Sequence, residues 1–292
     1  MNKDSNGVFE EYDYIFSEFL EHFTGPSVRQ AWTKSFIDSL EKKPLSLLSI
    51  GAGDGRYDES IFGDIMPTLD YFALEPNSDF IDKLTKRVAG WKAENTKVLS
   101  GFFDDTAKLP KELERKFDFI LMAHCVYFMS NPAKAIERSR TLLTQHGYVF
   151  VNHQAESPPS EIFREFSYQN GWVPGPGRQC CETTVETISE SLKKAGIKHF
   201  IAQRPAVVFV DEFFADRTDT ESRKIIIAML KFFLDINVEN WHESRLEKPI
   251  AFIKERSSYN PISGRYELPN PEGFLVIPHP DNEFVPYDMT LV

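Results

Sequence analysis

Cysteine is scarce in this chain, with three among 292 residues: Cys125 and the adjacent pair Cys180 and Cys181. That supports no disulfide framework, and no pair has the C-x-x-C spacing of a zinc site, so neither a stapled scaffold nor a bound metal is expected. Positive charge is also short. Lys and Arg number 33 against 44 Asp and Glu, a formal net charge of −11, whereas nucleic-acid binding draws on clustered cations that release counterions from phosphates. Nucleic acid is therefore not an expected partner. No run reaches the roughly 20 apolar residues that span a bilayer, and the opening MNKDSNGVFEEYDY lacks the basic and apolar regions of a secretion signal. A cytoplasmic protein with no membrane partner is the expectation. No internal repeat is visible.

What is present suffices for a sizeable core: 41% of residues are hydrophobic and 26% charged, the usual globular mix. Phe9, Tyr12, Phe16, Phe19, Leu20 and Phe23 recur at helical intervals, and a second helix is predicted over about 26–42. From PLSLLSIGAG onward, short apolar runs alternate with helical patterns. Strands are predicted in that run, at YFALEPN, TKVLSGF, FDFILMAHCVYF and GYVFVNHQ, then in IKHFIAQRPAVVFV and FLVIPHP. The pattern predicts an α/β fold, a doubly wound, seven-stranded, mainly parallel sheet of Rossmann-like type. One domain is expected over 1–292, with an N-terminal helical cap over 1–43 and substrate-side insertions at 155–180 and 211–270.

The strongest motif is LLSIGAGDG, an apolar strand running directly into Gly51, Ala52, Gly53, Asp54 and Gly55. Glycine there permits a tight turn and close approach of a ligand to the backbone. Glu75 follows 20 residues after Gly55, at the end of the next strand, where an acid can accept hydrogen bonds from both ribose hydroxyls of a nucleoside. Nicotinamide enzymes use G-x-G-x-x-G; the G-x-G-x-G spacing with an intervening acid favours S-adenosylmethionine as cofactor, with S-adenosylhomocysteine as product. After the third strand, Asp104, Asp105 and Thr106 are candidates for the adenine, although Asp-Asp is also ordinary loop composition. Ala123 and His124 close the fourth strand and His153 the fifth, on the edge where such sheets bind ligands. Either histidine is a candidate to accept a proton, or is simply packed at a strand terminus.

With these motifs the chain resembles the class I methyltransferases, and within them the histamine N-methyltransferase family. LLSIGAGDGRYD and ALEPNSDFIDKL are similar to that family's cofactor strands, FDFILMAHCVYFMSNP to its fourth strand, and ELPNPEGFLVI to its C-terminal strand. The resemblance implies transfer of a methyl group to the nitrogen of a small imidazole or indole amine by a monomer. It also implies a substrate pocket with Tyr12, Phe16, Tyr127, Phe128, Phe163 and Asn270 in it. Two positions depart from the family: His124 stands where it has a glutamine, and Gly25 where it has an acid that holds the amine. Glu21, Asp104 and Glu272 are candidates to replace that acid. An O-, S- or carboxyl-methyltransferase keeps the same cofactor logic, a non-catalytic module would keep only the fold, and a nicotinamide oxidoreductase is the more distant alternative.

Overall fold

The computed structural model describes residues 5–93, 95–173, 182–215, 219–283 and 289–291, the side chains of 5–13 and 291 excepted. In chain order, α1 (Ser5–His22) and α2 (Gly25–Ser39) precede β1 (Ser46–Ile50), α3 (Arg56–Phe62), β2 (Asp70–Glu75), α4 (Ser78–Val88) and β3 (Asn95–Ser100). Next come β4 (Phe117–Ala123), α5 (Pro132–Arg140), β5 (Leu143–Gln154), α6 (Pro158–Phe166), α7 (Val185–Lys194) and β6 (Phe200–Arg204). The chain ends with β7 (Val207–Phe209), α8 (Thr220–Leu234), α9 (Glu243–Arg256), β8 (Ser258–Asn260), β9 (Arg265–Pro269), β10 (Glu272–Pro278) and β11 (Thr290–Leu291). No helix among the described residues is long and apolar enough to cross a membrane.

Two compact units divide this order, and their boundaries cut across the sequence segments. The larger holds residues 29–155, 183–204 and 272–292. Its sheet runs β11-β6-β10-β5-β4-β1-β2-β3, the seven expected strands plus the two-residue β11 at one edge. β1 to β5 pair in parallel, while β10 lies antiparallel between β5 and β6. β1 is buried along its whole length, as a strand covered on both faces must be. Leu48 and Ile50 enter one core with Leu275 and Ile277, and Leu47 enters the other with Phe150, Phe274 and Val276. Gly196, at φ 68°, ends α7, and Ile197 N–H donates back to the Leu192 carbonyl, the cap expected of a left-handed glycine.

The smaller unit holds residues 1–28, 156–182 and 205–271. The sequence expected IKHFIAQRPAVVFV to continue as one strand of the main sheet. Instead β7 joins β9 and β8 in a separate three-stranded sheet. Pro205 explains the break, since it offers no N–H to a ladder and restricts the residue before it. Phe19 of α1 stacks on Phe232 of α8 at 4.0 Å between ring centres. The expected N-terminal cap is thus shared out: α1 belongs with the smaller unit, whereas Trp32 and Phe36 of α2 pack on Phe274 and Phe150 of the larger.

Candidate active site at the ends of the parallel strands

β1, β2, β4 and β5 all end at one edge of the sheet, and β10, running the other way, begins there. The turn after β1 places Gly51, Gly53 and Gly55 at φ 65°, 57° and 78°, the left-handed region that an L side chain occupies only at a cost. Gly51 N–H donates to the Leu74 carbonyl at 2.8 Å, and Gly55 N–H to Ala52 at 3.1 Å. Glu75 is 5% exposed, and both its oxygens are engaged: Oε2 accepts from Gly53 N–H and Oε1 from Asn77 N–H, each at 2.9 Å. Burial raises its pKa, against the pull of those two N–H groups. The acid expected to meet a ribose therefore also ties the glycine turn to the end of β2.

Beneath the turn, the buried Asp58 carboxylate accepts from Tyr71 Oη at 2.7 Å. Burial lifts its pKa to about 6, with the Tyr71 and Ser49 hydroxyls opposing. Nothing in the sequence marked this pair. Cys125 packs directly on Gly51, where an added Cβ would stand 2.5 Å from the Cys125 Cβ; its Sγ donates to the Ile50 carbonyl. Burial pushes the Cys125 thiol far up in pKa, so it is no nucleophile. Cys180 and Cys181 lie outside the described residues.

His124 follows β4 at φ 47°, a conformation rare for a residue other than glycine. Its N–H donates to the Asn152 carbonyl at 2.8 Å, and its Nε2 lies 3.1 Å from Glu272 Oε2. The Glu272 carboxylate, 1% exposed, also accepts from Asn152 Nδ2 at 2.8 Å and from Arg29 Nη1 at 3.2 Å. Burial alone would raise its pKa, but His124, Arg29 and Asn152 outweigh burial and hold it at about 2. Glu272 is thus spoken for within the fold, as is Asp104, whose Oδ1 accepts from the backbone of Thr106 and Ala107. Glu21 is exposed. Neither Arg29 nor Asn152 was marked by the sequence.

His153 is fully buried, and neither ring nitrogen finds a hydrogen-bond partner at bonding geometry. Burial and the neighbouring His124 lower its pKa to about 3, with the Thr183 carbonyl and Glu272 opposing weakly. It is neutral near pH 7 and a poor proton acceptor there. Its ring centre lies 5.8 Å from His124 and 4.9 Å from Tyr127, which in turn packs on the half-exposed Phe128 at 4.6 Å. His124, His153, Tyr127 and Phe128 are therefore brought together.

Asp104, Asp105 and Thr106 form their own turn, held by Arg138 through the Asp104 carbonyl at 2.8 Å, beside the exposed Phe102. In the smaller unit, the Phe16 ring lies 6.0 Å from Phe232. Phe163 is wholly buried against Trp172, and Asn270 Oδ1 accepts from Ser157 Oγ at 3.3 Å. Tyr12 lies in α1, its side chain outside the described residues.

Residues 48–149, from within β1 into β5, match the family described as a methyltransferase domain. None of the curated proteins matches the chain. Among solved structures, a putative methyltransferase from Bacillus halodurans is 13% identical, with a TM-score of 0.54 over 86% of this chain and 98% of that one. The YcgJ protein from Bacillus subtilis is likewise 13% identical, with a TM-score of 0.52 over 85% and 98%. The plantazolicin methyltransferase BpumL in complex with SAH is 13% identical, with a TM-score of 0.47 over 95% and 91%. The fold is Rossmann-like, shared with the first two of these structures.

Proposed function

We propose that this chain transfers the methyl group of S-adenosylmethionine to the nitrogen of a small amine, acting as a cytoplasmic monomer. The observation that carries the reading is the left-handed turn from Gly51 to Gly55, tied to the strand end by Glu75. A bound nucleoside fits it. A Cβ added at Gly53 would meet nothing within 4 Å, so the backbone there is open to close approach. Each Glu75 oxygen uses one lone pair on a backbone N–H and keeps another for a ribose hydroxyl. Gly51, Ala52, Gly53, Gly55 and Glu75 would hold the nucleoside's sugar and methionine end, Asp104, Asp105 and Thr106 its adenine, and Ala123 with His124 the region of the methyl group.

When bound, S-adenosylmethionine supplies an electrophilic methyl carbon on a sulfonium sulfur. What the chain contributes is position, since an in-line displacement gains most from donor and acceptor held in near-attack geometry. The amine acceptor rests on the sequence resemblance to the histamine N-methyltransferase family, and on Tyr127 and Phe128, whose rings suit a cationic amine. Catalytic roles fall to His124 first and His153 second, because burial holds the His153 pKa at about 3 and makes it a poor proton acceptor.

The test is calorimetric titration with S-adenosylmethionine and S-adenosylhomocysteine, followed by transfer of a labelled methyl group over a panel of amines, hydroxyls, carboxylates and thiols. Binding with turnover of amines is expected. Turnover confined to another acceptor class would overturn the substrate reading, and failure to bind either nucleotide would overturn the whole of it.

A further inference from the structure

The cluster about Glu272 does more than close off a buried charge. We propose that Glu272 is a positioning residue for methyl transfer: with Arg29 and Asn152 it fixes His124 as the Nε2–H tautomer, leaving Nδ1 to take the proton of an acceptor whose nucleophilic atom carries one. This deepens the methyltransferase reading and rests on it.

The tautomer follows from what each partner can donate. An ionised carboxylate only accepts, so the 3.1 Å contact runs from Nε2–H of His124 to Oε2 of Glu272. The carboxylate stays ionised because Arg29 faces its other oxygen and Asn152 Nδ2 donates to it. With Nε2 protonated, the basic nitrogen of the neutral ring is Nδ1, and it has no hydrogen-bond partner among the described residues. The burial gradient runs the same way: the His124 side chain is 26% exposed and that of Glu272 1%. Among the described residues, the charged and titratable groups in contact with the ring are Glu272 from β10 and the neutral His153 from β5, and Arg29 from α2 meets the other oxygen of Glu272. The left-handed backbone at His124, held by its N–H to Asn152, is the kind of outlier a merely packed histidine does not need.

The acceptor class follows. A tertiary amine or thioether attacks with a free lone pair and leaves no proton to collect, so the dyad suits primary or secondary amines. The acceptor's lone pair forms the bond to the methyl carbon while the carbon–sulfur bond breaks, both its electrons remaining on sulfur. The proton of the acceptor passes to Nδ1, and the imidazolium so formed rests against the Glu272 carboxylate until solvent takes the proton.

Nitrogen-15 spectra of the imidazoles in the full chain at mildly alkaline pH, with His124 assigned from the signals lost in His124→Gln, test this directly. The expected ring is protonated at Nε2 and bare at Nδ1, moving to a mixture of tautomers in Glu272→Gln. A ring protonated at Nδ1, or at both nitrogens, or a balance that Glu272→Gln leaves unchanged, overturns the proposal. Should Glu272→Gln not fold, the wild-type spectrum decides alone. With an amine that turns over, Glu272→Gln should lower kcat by about a hundredfold or more at nearly constant KM, with Glu272→Asp restoring part of it. Titrating S-adenosylhomocysteine into the same sample separates the two levels, since absent binding would sink the methyltransferase reading while the tautomer result stood.

Discussion

Gly51 and Gly53 share a left-handed backbone, at φ 65° and 57°, but not the same surroundings: a Cβ at Gly51 would stand 2.5 Å from the Cys125 Cβ, whereas one at Gly53 would meet nothing within 4 Å. Gly53→Ala should therefore cost only the left-handed penalty, about 1–2 kcal/mol. Gly51→Ala adds overpacking of about 1–3 kcal/mol, about 2–5 kcal/mol in all. Urea unfolding followed by circular dichroism reads both. Because the excess at Gly51 comes from one neighbour, Cys125→Gly should recover at least about 1 kcal/mol of it in a double-mutant cycle. Calorimetry reads the ligand side of the same turn: Gly53→Ala, folded and stable, should lose at least about tenfold in S-adenosylmethionine affinity if, as proposed, the nucleoside occupies the open space beside it. Equal stability losses at the two positions, or no coupling to Cys125, would refute the packing argument, and an unchanged affinity in Gly53→Ala would remove that residue from the site.

The buried acids carry three more tests. Asp58 has its native pKa raised from 3.8 to about 6, so its contribution is intact below the lower value and is lost as pH rises through the higher. Asp58→Asn should stabilise the chain above about pH 6, by up to about 3 kcal/mol, and do nothing for it near pH 3.5, as urea midpoints at the two pH values will show. Glu75→Gln cannot accept from both the Gly53 and Asn77 N–H groups; leaving one buried donor unmet should cost about 1–3 kcal/mol and weaken S-adenosylmethionine binding by about tenfold in the same titration. Glu272 shifts the other way from Asp58, from 4.5 to about 2, so its stabilisation is complete above the ordinary value and is lost as pH falls toward the native one. Arg29→Met should cost about 3–5 kcal/mol near neutrality and progressively less in acid, measured by chemical unfolding across that range.

The main sheet and the glycine turn at its edge were legible because they are written locally. LLSIGAGDG joins a strand to a turn within one short segment, and α4, from Ser78 to Val88, is announced by the Asn77 cap that accepts from Asp79 N–H. The second sheet was not legible for equally local reasons. β7 and β8 are three residues each, too short to show a period of two, and α9 carries Pro249 in its interior, which reads as a helix breaker.

The histidine dyad was half legible, and the topology explains which half. Strand-end positions on β4 and β5 point to the ligand edge because parallel strands finish there, so His124 and His153 stood out from sequence alone. β10 is antiparallel to β5, with Glu272 opposite Gln154 and Gly273 opposite His153, so its first residue, rather than its last, stands at that edge. Read forwards, Glu272 stood out only as a candidate for the missing amine-binding acid; the reversed strand turns it inward beside Asn152. Arg29 lies 243 residues away from it in sequence, on a helix whose polar residues give no sign of which one goes under. A carboxylate preceding the last apolar strand of such a fold is therefore worth weighing as a partner for the residue that ends β4, because the antiparallel insertion places those two positions side by side.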